Sequence, residues 1–298
     1  AIFRSRGNTK TPLICLVVSG IINVILNLFF VIVLKMTVNG VALATVTANF
    51  ISSALLIYFL SKDTTEVHFS FKELKIDRYT LKEMVRIGLP AGVQGMVFAL
   101  SNILIQSSIN KLGEDVLAAS SAAFNIEIFA YYIINAFGQA CTTFVGQNHG
   151  ANKPDRCLKA TRISFGLDML FTLALSGLIL VFGKYLLHIF NDDPVVIETG
   201  MVRLKYILLA EGVNVVIEIC SGCMRGYGRS MVPALICMLG ICGVRIGWVF
   251  TAFRANSTFP TLLTAYPLSW IVTGIALAAA YFYMKNHSMK DFFNGKDD

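Results

Sequence analysis

Residues 13–34 read LICLVVSGIINVILNLFFVIVL, twenty-two positions without a single Asp, Glu, Lys or Arg. About 20 consecutive apolar residues make a helix as long as the hydrocarbon core of a bilayer is thick. Lipid offers no partner to an unpaired backbone group, so a helix, which satisfies its own, is the expected form. Seven further stretches read the same way, at 39–60, 87–110, 118–142, 163–183, 201–223, 232–253 and 260–284. The alternating pattern of a membrane barrel strand is absent. The expected fold is an all-α, polytopic transmembrane bundle with eight spans.

Composition agrees with this reading. Of 298 residues 55% are hydrophobic and only 14% are charged, where a soluble domain carries about 25%; the mean hydropathy is +0.66. A net charge of +7 points in a membrane protein to basic cytoplasmic loops rather than to nucleic acid. The seven cysteines lie mostly in apolar runs and read as packing residues. Cys220 and Cys223 have a zinc-like spacing, but no second pair or nearby His completes a site. The four histidines, at 68, 149, 188 and 287, fall in loops, at helix ends or in the tail. With no HExxH motif, aspartate dyad or Ser/His pair, an intramembrane enzyme is disfavoured, as is a channel, for want of a pore loop.

Loop charges set the topology. Arg4, Arg6 and Lys10 precede the first span, five basic residues lie from Lys62 to Lys82, and four lie from Lys153 to Arg162. Arg225 and Arg229 follow the sixth span, and Lys285, Lys290 and Lys296 follow the eighth. The intervening loops carry one each: Lys35, Lys111, Lys184 and Arg254. Basic residues gather on the cytoplasmic side, so both ends are expected there, in a multi-pass protein of the cell membrane. Arg203 and Lys205 are the exception, expected to snorkel from the outer end of the sixth span. Residues 61–86 read as a cytoplasmic linker closing on an amphipathic helix, FKELKIDRYTLKEMVRIGLP covering 71–90, that lies along the membrane surface.

A repeat divides the chain. RSRGNTKTP (4–12) and RGYGRSMVP (225–233) both place Arg first, Gly fourth and Pro ninth before an apolar span. The offset that carries Arg4 onto Arg225 also carries Ala44 onto Ala265. Two homologous halves are implied: 1–60 as the last two helices of a first lobe, 87–284 as a six-helix second lobe, and 285–298 as a tail. The second copy is preceded by four spans, so four helices are expected ahead of Ala1, and the chain alone is expected not to transport.

At these residues the chain resembles the multidrug and toxic compound extrusion (MATE) family. The pattern RG-x-G-x-x-x-x-P, intact at Arg225, Gly226, Gly228 and Pro233 but with Ser5 in place of its first Gly in the earlier copy, is similar to the family's loop between the fourth and fifth helices of each half. GLPAGVQG (88–95) resembles the start of the seventh helix, and FVGQNHGA (144–151) the end of the eighth. The resemblance implies two six-helix bundles around a central cavity. It implies secondary active efflux of small organic cations in exchange for H⁺ or Na⁺ by alternating access, with no cofactor beyond that ion and a monomer when full length. Some relatives carry a Glu in the seventh helix for Na⁺; none lies between Gly88 and Asn110 here, and the coupling ion stays open. A flippase for lipid-linked oligosaccharides is the alternative of similar plan. It should carry cavity arginines, whereas only Arg245 is deep in a span against four acids.

Those acids are Glu127, Asp168, Glu211 and Glu218. An ionised side chain at a helix centre costs about 2.5–3.5 kcal/mol on insertion scales, so each needs a reason. Glu211, Asn214, Glu218 and Ser221 share one helical face, the two carboxylates roughly 10 Å apart along the axis. They read as a path for an organic cation, Na⁺ or a proton, against the plainer alternatives that Glu218 bonds neighbouring helices and that Glu211 pairs with Arg203 or Lys205. Glu127 with Asn125 forms a second polar patch. Gln94, Ser101 and Ser108 recur every seven residues along the third span, lining a cavity or bonding between helices. Asp168 is read as paired rather than functional, with Arg245 as a possible partner. Pro267 falls inside the last span, as a kink that serves packing or a hinge.

Overall fold

The computed structural model describes residues 2–5, 7–62 and 75–293, with side chains given for all of these except 5, 87 and 287–293. The described residues are helical, with no strand among them. The chain divides into two compact units, Ala1–Thr80 and Leu81–Asp298.

In the first unit a short α1 (Ile2–Ser5) precedes α2 (Lys10–Leu28), which continues as a π-helical turn, Phe29–Val33, and α3 (Val38–Ser61) returns against it. The buried face of α3 is Gly40, Ala44, Ala48 and Ser52, one small residue every fourth position, which lets two helix backbones approach closely in lipid. Cys15 and Ser19 form the matching face of α2. The large apolar side chains point outward, Ile32 and Leu13 among them, as suits a surface wetted by lipid.

The second unit begins with α4 (Arg78–Asn110), α5 (Glu114–Gly150) and α6 (Pro154–His188). Asp77 caps α4: its carboxylate accepts from the Thr80 backbone N–H at 2.7 Å and hydroxyl at 2.6 Å, which holds its pKa below the usual value. Residues 78–86, expected as the end of the linker, form the first part of α4, one helix of 33 residues, and the linker residues 63–74 lie outside the described residues. Pro154 at the start of α6 and Pro194 after the Asp193 cap of α7 occupy first-turn positions, where a missing N–H costs nothing. Helix α5 is the centre of the unit, packing on α6, α7 (Pro194–Leu208) and α8 (Glu211–Gly226).

Among the described residues seven helices are long and apolar enough to cross a membrane, or eight spans if the bent pair α7–α8 counts as one. The single sixth helix expected over 201–223 is instead broken at Leu209–Ala210 and bent by 42°. The seventh span, Met231–Phe253, alternates between α9 (Met231–Cys237), a π-helical stretch (Met238–Gly243), α10 (Val244–Trp248) and a second π-helical stretch (Val249–Phe253). The last span is split between α11 (Phe259–Leu263) and α12 (Ala265–Phe293). Pro267 accounts for the split: it removes the bond to Leu263, and its ring crowds that carbonyl.

The repeat is written into the backbone. Gly7 and Gly228, each fourth in its copy of the motif, both have positive φ, +78° and +74°. Each turn closes with the same two bonds, Gly7 N–H to Arg4 O and Asn8 N–H to Phe3 O in the first copy, Gly228 N–H to Arg225 O and Arg229 N–H to Met224 O in the second. This is the helix-ending motif that glycine satisfies without steric cost. The offset between Arg4 and Arg225 also carries the helix starts Lys10 and Val38 onto Met231 and Phe259, and it brings the π-helical turns Phe29–Val33 and Val249–Phe253 into near register.

Candidate functional site

Arg203 of α7 is 3% exposed. Its guanidinium holds Glu127 of α5 with two bonds, Nη2 to Oε1 at 2.6 Å and Nε to Oε2 at 3.1 Å. Nη1 donates to Ser120 Oγ at 2.6 Å. Arg203 therefore neither snorkels nor serves Glu211; bidentate geometry with a third bond is what makes a buried ion pair tolerable. Lys205 is exposed and offers Glu211 no bond. Asn125 is exposed and donates to the Ser121 carbonyl of its own helix at 3.0 Å. Glu127 and Asn125 thus do not form one patch, because residues two apart face opposite sides of a helix.

Glu211 opens α8 at the break, 2% exposed. Its Oε2 accepts from Asn214 Nδ2 at 3.0 Å, so these two predicted residues do meet. No Lys or Arg forms an ion pair with it among the described residues. What it has instead is the positive end of the α8 dipole. Asp168 of α6 is fully buried. One oxygen accepts from Thr172 Oγ1 at 3.0 Å and the other has no partner. Arg245, the partner expected for it, bonds elsewhere, and no other cation replaces it among the described residues. A Cβ placed on Gly212 would touch Met169 at 3.5 Å, so the start of α8 rests on α6 beside Asp168. Two buried carboxyls without counter-cations thus lie on α6 and at the start of the α8 helix that rests on it. Charge type alone suggests a paired Asp168; the sequence signal for its actual setting is the run of small polar residues Ser164, Asp168, Thr172 and Ser176 at every fourth position.

Glu218 sits further along α8, half-buried, with Oε1 2.5 Å from Arg225 Nη2. The Arg of the repeated loop thereby ties back to the same helix seven residues earlier. The Glu218 side chain lies directly over Gly138 of α5. A Cβ at Gly222 would come within 2.6 Å of the Gly138 carbonyl, and one at Gly226 within 2.8 Å of Val145 Cβ. Gly222 and Gly226 form a G-x-x-x-G pair, legible in the sequence, that brings α8 onto α5. Gln94 is half-buried on α4, while Ser101 and Ser108 of the same face are buried.

Arg245 occupies α10 between the two π-helical stretches, 4% exposed. Its Cζ lies 4.3 Å from the Tyr266 ring centre, Nε donates to Ser269 Oγ at 3.2 Å, and Nη1 to Asn102 Oδ1 at 3.4 Å. All seven cysteines are free, and no group of three His, Cys, Asp or Glu side chains gathers to hold a metal among the described residues.

Comparison with known proteins places this architecture. The MatE family model matches residues 90–251, and that of the lipid II flippase MurJ matches residues 1–112. A probable multidrug resistance protein, NorM, of Thermotoga maritima is 26% identical over 85% of this chain and 55% of its own length. The probable multidrug resistance protein YoeA of Bacillus subtilis is 27% identical over 94% of this chain and 62% of its own. A crystal structure of MATE in complex with MaL6 superposes with a TM-score of 0.89 at 18% identity, covering 97% of this chain and 66% of that one. The chain therefore spans less than two thirds of the length of these relatives. With more than half of its length matched by one transporter family model and its helices laid out as in that family's solved structures, this multi-pass membrane protein belongs to the MatE family.

Proposed function

We propose that the chain works in secondary active multidrug efflux, exporting organic cations in exchange for H⁺ or Na⁺ by alternating access. The observation that carries this reading is the pair Asp168 and Glu211, one buried on α6 and the other at the start of α8, which rests on α6 there, with no cationic side chain bonded to either among the described residues. A carboxylate in that setting is stabilised by whatever cation reaches it, whether proton, Na⁺ or the charged end of a drug. Competition for one carboxylate pair supplies exchange: the ion that enters displaces the drug, and the drug that enters displaces the ion. Discontinuous helices are the usual framework of such sites, and the carbonyl end of α7 at the break offers a cation the negative end of a helix dipole. In this reading Glu218 is a secondary contact, because Arg225 already neutralises it. Asn214 orients Glu211, and Gln94 belongs to the cavity wall. The protein resides in the cell membrane as a monomer, with both ends of this chain cytoplasmic by its loop charges.

Ethidium efflux by the full-length protein, in cells with matched membrane abundance, tests the site. Asp168→Asn and Glu211→Gln are each expected to lower efflux at least about tenfold, the scale of one lost charge-assisted contact, and Glu218→Gln less. Normal efflux in both Asp168→Asn and Glu211→Gln would sink the proposal. Collapsing the Na⁺ and H⁺ gradients separately then names the ion.

The MurJ match over residues 1–112 favours one second reading, a flippase for a pyrophosphate-linked lipid. It predicts no ethidium efflux from the unsubstituted protein and movement of a fluorescent pyrophosphate-linked lipid across reconstituted vesicles.

A further inference from the structure

Two guanidiniums converge on one ring in the second unit, and only one of them has a counter-charge. Tyr266 has Arg203 Cζ at 5.8 Å and Arg245 Cζ at 4.3 Å from its ring centre. Arg203 is neutralised by Glu127. Among the described residues Arg245 meets only neutral groups, namely Ser269 Oγ, Asn102 Oδ1 and the ring face. A buried charge without an ionic partner is costly, and a fold has no reason to keep one that it does not use.

The other copy of the repeat does without it and leaves the position exposed. The position of Arg245 is held in the first copy by Val24, in a helix that starts at the matching residue and ends in the matching π-helical turn. Tyr266 and Ser269 correspond to Thr45 and Ala48. None of these three side chains recurs in the first copy. Arg245 also sits between two π-helical stretches, and π-bulges re-aim side chains and occur frequently at functional sites.

We propose that Arg245, with Asn102, Ser269 and Tyr266, forms an anion subsite that takes the carboxylate of a zwitterionic substrate. The inference rests on the reading of this lobe as substrate-binding and widens it: the lobe accepts molecules carrying both charges, the cationic end going to the Asp168–Glu211 pair. A guanidinium presents a planar fork of donors that matches a carboxylate. Nε and Nη1 are committed to Ser269 and Asn102, and Nη2 bonds no protein group among the described residues.

The test uses two dyes that differ only at one carboxyl: rhodamine 110, a zwitterion, and rhodamine 123, its methyl ester and a plain cation. Binding of each to the full-length protein in phosphatidylcholine nanodiscs is followed by fluorescence polarisation, for the unsubstituted protein, Arg245→Gln and Arg245→Lys. The expected result is a loss of rhodamine 110 affinity of at least about tenfold in Arg245→Gln, from the energy of a charged hydrogen bond. Arg245→Lys should lie between, and rhodamine 123 should bind all three alike, which also shows that the variants are folded. An equal loss for both dyes makes Arg245 a structural clamp and overturns the subsite, as does no loss for either. Rhodamine 123 binding without rhodamine 110 binding to the unsubstituted protein overturns the subsite and leaves the cation reading standing. Binding of neither dye overturns both. A repeat in nanodiscs containing phosphatidylglycerol assigns the anion: if the difference between the dyes vanishes there, Arg245 holds a net-anionic lipid headgroup and the carboxylate proposal fails.

Discussion

In the first copy of the repeat, α2 and α3 meet through Cys15, Ser19, Ala44 and Ala48, and no Asp, Glu, Lys or Arg stands between Thr11 and Ser61 except Lys35 at the turn. In the second copy, the helices of Met231–Phe253 and Phe259–Asn286 have the same starts and the same π-helical turn, yet bury Arg245 beside Tyr266 and Ser269. One backbone plan thus carries two chemistries. Its turn geometry, set by Gly7 and Gly228, is what the copies share; the side chains facing their neighbours are where they part. Features present in both copies belong to folding, and features in one copy alone are candidates for function.

A second contrast follows within the later unit, between the paired Arg203 and the unpaired Arg245. The largest effect expected is for Glu127→Gln, which strands Arg203 in the interior and should cost about 3–5 kcal/mol in a denaturation series. The double variant Glu127→Met/Arg203→Met should recover most of that loss, since it removes both charges together. If Glu127→Gln proves neutral, the pair is not structural and the contrast breaks. Next comes Gly222→Ala, whose new methyl meets the Gly138 carbonyl, a backbone atom that cannot rotate away; overpacking there should cost about 1–3 kcal/mol. The shared turn supplies a symmetrical test: Gly7→Ala and Gly228→Ala should each cost about 1–2 kcal/mol for a left-handed residue. A marked inequality between them would show that the copies fold under different constraints. The smallest effect is expected for Arg245→Val, which installs the side chain of the other copy and should alter stability by less than about 1 kcal/mol, because an unpaired buried charge leaves with it. A loss as large as that of Glu127→Gln would make Arg245 part of the scaffold.

Much of this was legible before any coordinates. Apolar length marked the spans, because the bilayer fixes that length, and the matching stretches after Arg4 and Arg225 anticipated a turn whose hydrogen bonds repeat bond for bond. The face shared by Glu211 and Asn214 followed from helical periodicity, and their bond bears it out. Periodicity also assumed an unbroken helix through 201–223, and no proline or glycine pair warned of the break at Leu209–Ala210. The two ion-pair expectations failed for one reason: opposite charge says which residues attract, not which are near.

What the sequence by itself determined is therefore the membrane as solvent, the helices, the repeat and the family, all of which depend on local composition or on spacing along one chain. Only the tertiary structure decided that Arg203 closes on Glu127 across 76 residues, that Asp168 keeps an oxygen without a partner, and that Arg245 faces Tyr266 rather than an acid. Such pairings depend on how helices rotate and approach, which here is set by small residues such as Gly138, Gly222 and Gly226 at their contacts. A rotation of one helix by a single residue, about 100°, exchanges the partners of every charge that it carries.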